Sequence, residues 1–305
     1  MTLEGILPVW KPAGFTSHDV VAKVRRILKI KRIGHTGTLD PQVTGVLPLC
    51  IGRATRLVEY IQELPKEYEA TLRLGIATDT EDLSGEVLRR EEGLSLKLTP
   101  EEVTEAVSRF VGEIEQVPPM FSAVKVDGKR LYDLARQGVE VERKARKVTI
   151  HRIDVLDTDW TGVYPEVRFR VACSKGTYIR TLCVDIGAAI GVPAVMAELV
   201  RTSTGHIGPE ACLTFEQIED MQREGSLGAR LIPMDQALQH LPSVSLNEIQ
   251  TVKALQGQKI RVLPEAVSHL TGGETAAAYS PNRDLIGVYE WDPAQGMLLP
   301  VKIFS

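Results

Sequence analysis

Apolar and polar residues follow two different spacings along the chain, and these predict both helices and strands. After Thr16, apolar residues recur every three or four positions from 20 to 28, the spacing of an amphipathic helix. The same spacing runs through 178–189, whereas 68–74 and 167–171 alternate residue by residue, as half-buried strands do. The elements follow no regular strand–helix–strand rhythm, so we expect an α+β protein with a mixed sheet.

Capping patterns mark where further helices begin. Thr99-Pro100-Glu101-Glu102 is a capping box with proline at the first helical position, and it predicts a helix that ends at Gly112. The same pattern begins at Thr214 and at Ser245, so we expect two later helices that start after these residues.

The sequence changes character near Pro242, which suggests a domain boundary. We expect residues 1–242 to form one domain and residues 243–305, with a capped helix and short strand-like segments, to form a small β-rich module. Residues 118–147 are basic and interrupted by prolines, with one short helix around 131–137. We interpret this segment as an arm inserted in the first domain.

The composition is that of a globular protein without a membrane segment. Of 305 residues, 43% are hydrophobic and 25% charged, and no apolar run reaches the roughly 18 residues of a membrane span. The first residues lack the features of a signal peptide, and the four cysteines have no C-x-x-C spacing. These features predict a cytoplasmic protein without a zinc site or a disulfide framework. No apolar stripe indicates a second copy, so we expect a monomer.

Charge is distributed unevenly, although the chain as a whole carries a net charge of −4. Residues 20–56 have a balance of +7 and residues 118–152 a balance of +5, whereas residues 57–120 have a balance of −9. Segregated charge creates a local positive field that the total conceals, which favours a polyanionic partner. The alternative is that the basic residues simply form solvated helix faces.

Asp40 is the strongest candidate for chemistry. It ends a glycine-containing loop, 34–41, that precedes the apolar run 46–49, and Pro41 biases its backbone towards an extended conformation. The alternative is an ordinary Asp-Pro turn. Arg180 follows a strand-to-helix junction, where it could pair with the Asp40 carboxylate and lower its pKa. The motifs of kinases, dehydrogenases, zinc hydrolases and serine esterases are absent from the sequence.

Three blocks of the sequence, residues 10–17, 34–56 and 174–187, resemble the signature blocks of the TruB family, the bacterial tRNA pseudouridine-55 synthases. The similarity extends in order from about residue 5 to 210. The arm at 118–147 resembles the family's thumb insertion, which the guide-RNA-dependent enzymes of the dyskerin type lack. The resemblance therefore implies a stand-alone enzyme without a guide RNA. Residues 243–305 resemble the PUA-type RNA-binding domain more weakly.

The resemblance implies that the T-loop uridine of tRNA is isomerised to pseudouridine, with the glycosidic bond moving from N1 to C5 and no metal or redox cofactor required. In this scheme Asp40 is the nucleophile, attacking either C1′ or the ring, and Arg180 is its partner. Tyr68 stacks on the flipped uracil and assists removal of the C5 proton.

The resemblance also implies a set of residues that bind the substrate or support the site. His35 fills the space that the flipped base leaves, Lys11 supports the loop of Asp40, and the remaining residues contact the base or the RNA backbone: Tyr178, Leu199, Lys129 and Arg130. The thumb would contact the T-arm and the PUA-like module the acceptor stem. Two alternatives stay open, an RNA-binding and refolding module and a synthase that acts on another RNA.

Overall fold

A computed structural model describes residues 3–126 and 128–304 of the chain. The strands of these residues, in chain order, are β1 (Gly5–Lys11), β2 (Ile33–His35), β3 (Thr44–Ile51), β4 (Lys66–Leu74), β5 (Ile76–Thr78), β6 (Val87–Arg90), β7 (Gly112–Gln116), β8 (Lys125–Val126), β9 (Lys129–Arg130), β10 (Arg146–Asp159), β11 (Glu166–Cys173), β12 (Ala194–Thr204), β13 (Ser243–Ser245), β14 (Ile260–Arg261), β15 (Thr275–Tyr279), β16 (Leu285–Asp292) and β17 (Met297–Ile303).

The α-helices begin largely where the sequence provides caps. They are α1 (Ser17–Leu28), α2 (Val58–Glu63), α3 (Pro100–Ser108), α4 (Leu131–Ala135), α5 (Ile179–Ala189), α6 (Phe215–Glu224), α7 (Met234–Ala237) and α8 (Glu248–Leu255). The Thr16, Thr99 and Thr214 hydroxyls each accept a hydrogen bond from the backbone three residues later. None of the helices in the described residues is long and apolar enough to cross a membrane.

The large sheet has the order β1-β3-β12-β4-β11-β10-β7, with β2 paired to β3. Strand β12 runs parallel to β3 and antiparallel to β4, which makes the sheet mixed as expected. Gly45 of β3 has φ +117°, and a Cβ there would lie 2.2 Å from the Arg201 carbonyl oxygen of β12. A glycine is required for these two strands to approach each other.

Two hydrophobic cores stabilise the large sheet. Helices α3 and α5 pack against β4, β11 and β12, with Val103, Leu182 and Phe169 fully buried among them. Helices α1 and α6 pack against β1 and β3, where Val24 and Ile218 are fully buried. The strand ends that carry the loop of Asp40 therefore rest on closely packed layers.

A second sheet, with the order β13-β15-β16-β17-β14, is formed by the C-terminal part of the chain. Val288 and Phe304 of this part pack against Ile6, Leu57 and Ile61 of the first part, in one shared buried cluster. The Arg53 and Arg56 side chains donate to the backbone oxygens of Phe304 and Ile303, and Lys302 forms an ion pair with Glu59 of α2. The C-terminal sheet is thus fixed to the side of the large sheet.

Three local predictions were wrong. Helix α3 ends at Ser108, and Gly112 instead opens β7, because the helical spacing of apolar residues stops before it. Ser245 lies in β13, and the cap of α8 is Asn247, whose side chain accepts from the Gln250 backbone. His35 belongs to β2 rather than to a glycine turn, since it pairs with Leu49 of β3.

Candidate active site

A cleft of about 320 Å³ lies where the loop at 36–43, the start of β4, the first turn of α5 and the base of the arm at 118–147 meet. Its volume is at the small end of the range for ligand sites, roughly 300–1,000 Å³. Five of the residues predicted from the sequence line it: Asp40, Tyr68, Tyr178, Arg180 and Leu199.

Lys11 holds the loop of Asp40 from below. Its ammonium nitrogen donates to the carbonyl oxygens of Pro12, Pro41 and Val43 at 2.7–2.9 Å, and its side chain is completely buried. Burial lowers the pKa of Lys11 to about 8, with the Asp40 charge acting in the opposite direction. Lys11 thus fixes the backbone that follows Asp40, at Pro41 and Val43, and does not itself line the cleft.

Ser17 and Gly14 fix the other side of the loop. The Leu39 amide donates to the Ser17 hydroxyl at 2.9 Å, and the Gly14 amide donates to the Pro41 oxygen at 2.9 Å. Ser17 is the first residue of α1, so the capping box at Thr16 also determines where this hydroxyl lies. Asp40 therefore projects from a backbone that is held on both sides.

Arg180 joins the Asp40 carboxylate to the surrounding backbone. Its Nε lies 3.0 Å from Asp40 Oδ2, and its two terminal nitrogens donate to the carbonyl oxygens of Thr80 and Phe121 at 2.8 Å. The Arg180 side chain is 5% exposed and that of Asp40 is 40% exposed. The carboxylate thus faces the cleft while its partner is buried beneath it, a geometry that fixes the direction of the free carboxylate oxygen.

Arg180 lowers the pKa of Asp40, as predicted, but it does not decide the net direction. Burial raises the pKa of Asp40 and is the largest effect, whereas the charge of Arg180 lowers it and that of Asp82 raises it. The sequence identified the opposing cation but gave no measure of how far the loop would be removed from water. The carboxylate thus keeps part of its surface open to the cleft, while burial of the rest disfavours its ionised form.

Tyr68 and Leu199 form the apolar wall of the cleft. In the register of β4 and β12, Tyr68 lies opposite Arg201 and Ala70 lies opposite Leu199. Residues two apart on a strand share a face, so all four side chains lie on one face of the sheet. The small side chain of Ala70 leaves room between the tyrosine ring and Leu199. A flat, apolar ligand can therefore lie against this wall.

Tyr178 is placed by Gln116, a residue that the sequence analysis did not single out. The Tyr178 amide donates to the Gln116 side-chain oxygen at 3.0 Å. The Gln116 side-chain nitrogen donates in turn to the Tyr178 backbone carbonyl oxygen at 3.1 Å. Gln116 is buried at the end of β7. This pair holds the residue that precedes α5, and with it Arg180 two residues later.

Four of the predicted residues lie away from the cleft lining: Lys11, described above, and His35, Lys129 and Arg130. His35 is half-buried beside the cleft, with its ring 6.3 Å from that of His18, and burial lowers its pKa. Lys129 and Arg130 form β9, are exposed, and line a separate hollow of the arm with Tyr132. The structure therefore separates the arm's basic residues from Asp40.

The cleft contains two further cations that the sequence analysis missed. Among the described residues, the charged side chains classed as buried are Lys11, Lys66, Arg180 and Arg201, and no acidic residue is among them. Lys66 and Arg201 both line the cleft. A lysine or arginine within a mostly apolar strand was the signal that could have revealed them. Such residues are rarely buried without a partner, so their presence indicates a special role.

Comparison with known proteins agrees with this arrangement. The family model described as "TruB family pseudouridylate synthase (N terminal domain)" matches residues 25–179, and that of the "tRNA pseudouridylate synthase B C-terminal domain" matches residues 180–239. The chain belongs to the TruB family. It is 42% identical over 305 residues to the tRNA pseudouridine synthase B of Bacillus pumilus, with 99% of this chain and 98% of that protein covered. The corresponding Bacillus subtilis protein is 41% identical over 303 residues, with 99% and 97% covered.

Solved structures of other proteins share the fold of this TruB-family chain. One chain of a Cbf5-Nop10-Gar1 complex aligns with a TM-score of 0.77 and 28% identity, covering 99% of this chain and 85% of that one. An archaeal Nop10-Cbf5 complex gives a TM-score of 0.73 and 26% identity, with 99% and 86% covered. The mixed α+β architecture is therefore that of the Cbf5 and TruB type of pseudouridine synthase.

Proposed function

We propose that this protein isomerises the T-loop uridine of tRNA, at position 55, to pseudouridine. The observation that carries the proposal is a partly exposed carboxylate, Asp40, bound to the buried Arg180 and facing the apolar wall of Tyr68. The relatives that match over nearly the whole chain are named tRNA pseudouridine synthase B. That name supports tRNA as the substrate, and no guide RNA is then needed.

Asp40 acts as the nucleophile in this proposal. Its carboxylate attacks either C1′ of the ribose or the uracil ring, the bond from C1′ to N1 breaks, and the base is rejoined through C5. Arg180 keeps the carboxylate oriented and opposes its protonation. Tyr68 stacks on the base, an interaction of about 1–3 kcal/mol, and Leu199 extends the same apolar wall beside it.

The target nucleotide has to leave its stack to reach this cleft. Flipping costs a few kcal/mol, and a planar side chain that enters the vacated position offsets part of this cost. We assign this role to His35, which lies beside the cleft rather than in it. Burial lowers the pKa of His35, which favours its neutral ring.

The RNA backbone is bound by basic residues outside the cleft. We assign Lys129 and Arg130 of the arm to the phosphates of the T-arm, and Tyr178 at the cleft rim to the target nucleotide. Residues 1–242 form the catalytic domain in this proposal, and 243–305 form a PUA-like module that binds the acceptor stem as part of the same monomer.

Tritium release tests the proposal. A tRNA transcript made with uridine labelled at C5 loses tritium whenever the base is rejoined through C5. We expect one tritium per tRNA, and none when the T-loop uridine is replaced by cytidine. Release that persists in the cytidine transcript would contradict the position, and release from a ribosomal fragment but not from tRNA would contradict the substrate.

A second function, RNA refolding, is favoured by the separation of the arm from the cleft. Binding energy from the arm can pull the T-arm from its partners whether or not Asp40 reacts. We expect Asp40→Asn to accelerate folding of a misfolded tRNA as well as the unaltered protein does. Failure of both proteins to accelerate folding would remove this second function and leave the first intact.

A further inference from the structure

Arg201 is the most deeply buried charged group beside the cleft that the proposed mechanism does not use. Its side chain is 1% exposed, and its Nε donates to the Val46 carbonyl oxygen at 2.7 Å. One terminal nitrogen lies near Gly37, where a Cβ would come within 3.4 Å of it. The guanidinium is thereby fixed between β3, the loop of Asp40 and β4.

The charge of Arg201 is not neutralised by a neighbouring acid. Within residues 3–126 and 128–304 it forms no ion pair with Asp or Glu, and its Nη2 is buried without a hydrogen-bond partner. An unpaired buried cation costs several kcal/mol of folding free energy. The backbone contact with Val46 alone could be made by a neutral donor, so the charge itself calls for a functional explanation.

Tyr68 is the residue on which this charge acts. Arg201 and Tyr68 are directly opposite each other in the register of β12 and β4, with both side chains on the cleft face. Burial raises the pKa of the Tyr68 phenol, and the guanidinium beside it is the largest opposing influence. Because Nη2 of Arg201 is buried without another hydrogen-bond partner, it can donate to the phenol oxygen of Tyr68.

We propose that Arg201 is a positioning residue that holds the Tyr68 phenol oxygen at the target base and stabilises it as phenolate. This inference rests on the proposed function. After C1′ has joined C5, the C5–H bond breaks, its electron pair restores the ring's double bond, and the proton moves to the Tyr68 phenolate. The phenol then returns a proton to the medium as N1 of the base takes one up, so the protons balance over one turnover.

A fluorine titration tests the inference without any reaction. Tyr68 is replaced by 3,5-difluorotyrosine, a phenol that ionises near neutral pH, and its ionisation is followed by ¹⁹F NMR. Removing an opposite charge from the neighbourhood of an ionised group raises that group's pKa by about 1–3. We therefore expect Arg201→Met to displace the titration of the Tyr68 phenol upward by that amount. Arg201→Gln, which can keep a hydrogen bond to Val46 without the charge, should give the same displacement. Arg201→Lys should restore most of it.

Arg168→Met is the matched control, because Arg168 lies on the adjacent strand β11 and pairs with Glu69 away from the cleft. We expect no displacement in this variant. An unchanged titration in Arg201→Met and Arg201→Gln would overturn the inference and leave Arg201 with a structural role only. If Arg201→Met does not fold, Arg201→Gln decides the question.

Single-turnover rates on tRNA separate this inference from the proposed function. A displacement of one pKa unit corresponds to about a tenfold change in ionised fraction, so Arg201→Gln should lose at least about tenfold in kcat with little change in KM, and should recover as pH rises. A displaced titration in a protein that forms no pseudouridine would reject the proposed function but keep the coupling of Arg201 and Tyr68. Equal losses at every pH would contradict the inference.

Discussion

Replacing Arg180 by methionine removes a side chain that binds Asp40 and two backbone segments at once. The guanidinium makes three hydrogen bonds of 2.8–3.0 Å, to the Asp40 carboxylate and to the oxygens of Thr80 and Phe121. Hydrogen bonds to a charged group each contribute about 1.5–3 kcal/mol, and loss of one member of a buried ion pair costs about 3–5 kcal/mol. Asp40 is partly open to water, so we expect Arg180→Met to lower the free energy of unfolding by about 3 kcal/mol.

The effect on activity should be larger and dependent on pH. Burial already raises the pKa of Asp40, and Arg180 opposes that rise. Without the guanidinium the carboxyl is protonated at a higher pH, so the acidic side of the rate profile should move towards higher pH. Loss of a fixed partner of the reacting group should also lower kcat by about 100-fold or more. Arg180→Lys keeps the charge but not the planar guanidinium, so its kcat should lie between those of the unaltered protein and of Arg180→Met.

Single-turnover tritium release from pH 5 to 9 measures both effects, and urea denaturation measures stability. Arg168→Met serves as the control for loss of one arginine elsewhere in the domain, since its guanidinium is exposed and pairs with Glu69. A rate for Arg180→Met close to that of the unaltered protein, or a profile displaced towards lower pH, would refute the reasoning.

Three further predictions concern the loop, the sheet and the arm. Lys11 has a pKa of about 8 in the folded chain and an ordinary value of 10.5, so between these pH values the unfolded chain binds more protons. Stability relative to Lys11→Met should therefore rise by about 3 kcal/mol from pH 7 to 11, measured by urea denaturation; a fall would contradict this. Gly45→Ala should lower the free energy of unfolding by about 3 kcal/mol, because its Cβ would meet the Arg201 backbone. Gly191→Ala, with φ +76° and open space around it, should lower that free energy by less. Equal losses would show that only φ matters. Lys129→Ala with Arg130→Ala should raise KM several-fold and reduce the salt slope of log Kd by about 1–2; a loss confined to kcat would place the arm in the chemistry.

The periodic elements of the fold could be predicted from the sequence because their apolar faces bury independently of distant residues. Helix α1, its capping box and strands β4 and β11 follow from spacing within about ten residues. The local pattern could not decide whether Ser245 or Asn247 caps α8. Pairing of β13 with β15 decides it, because Ser245 belongs to that strand pair. Sheet order likewise depends on contacts between segments far apart in the chain.

The candidate site was predictable to the extent that its residues lie in recognisable blocks. Asp40, Tyr68 and Arg180 do meet in one cleft, as the resemblance implied. Arg201 was missed, because nothing local shows that its strand lies at the sheet's centre between β3 and β4. The lowering of the Asp40 pKa by Arg180 was predicted, but the net rise was not, since it depends on how deeply the folded loop is buried.

The central claim is that the Asp40 carboxylate reacts with the target nucleotide of tRNA in this cleft. Asp40→Asn keeps the size and shape of the side chain while removing its charge, so tRNA binding should persist. Mapping of pseudouridine in an unmodified tRNA transcript after incubation with each protein tests the claim most directly. We expect complete conversion of one T-loop uridine by the unaltered protein and none by Asp40→Asn at equal tRNA occupancy. Conversion at a comparable rate by Asp40→Asn would contradict the account.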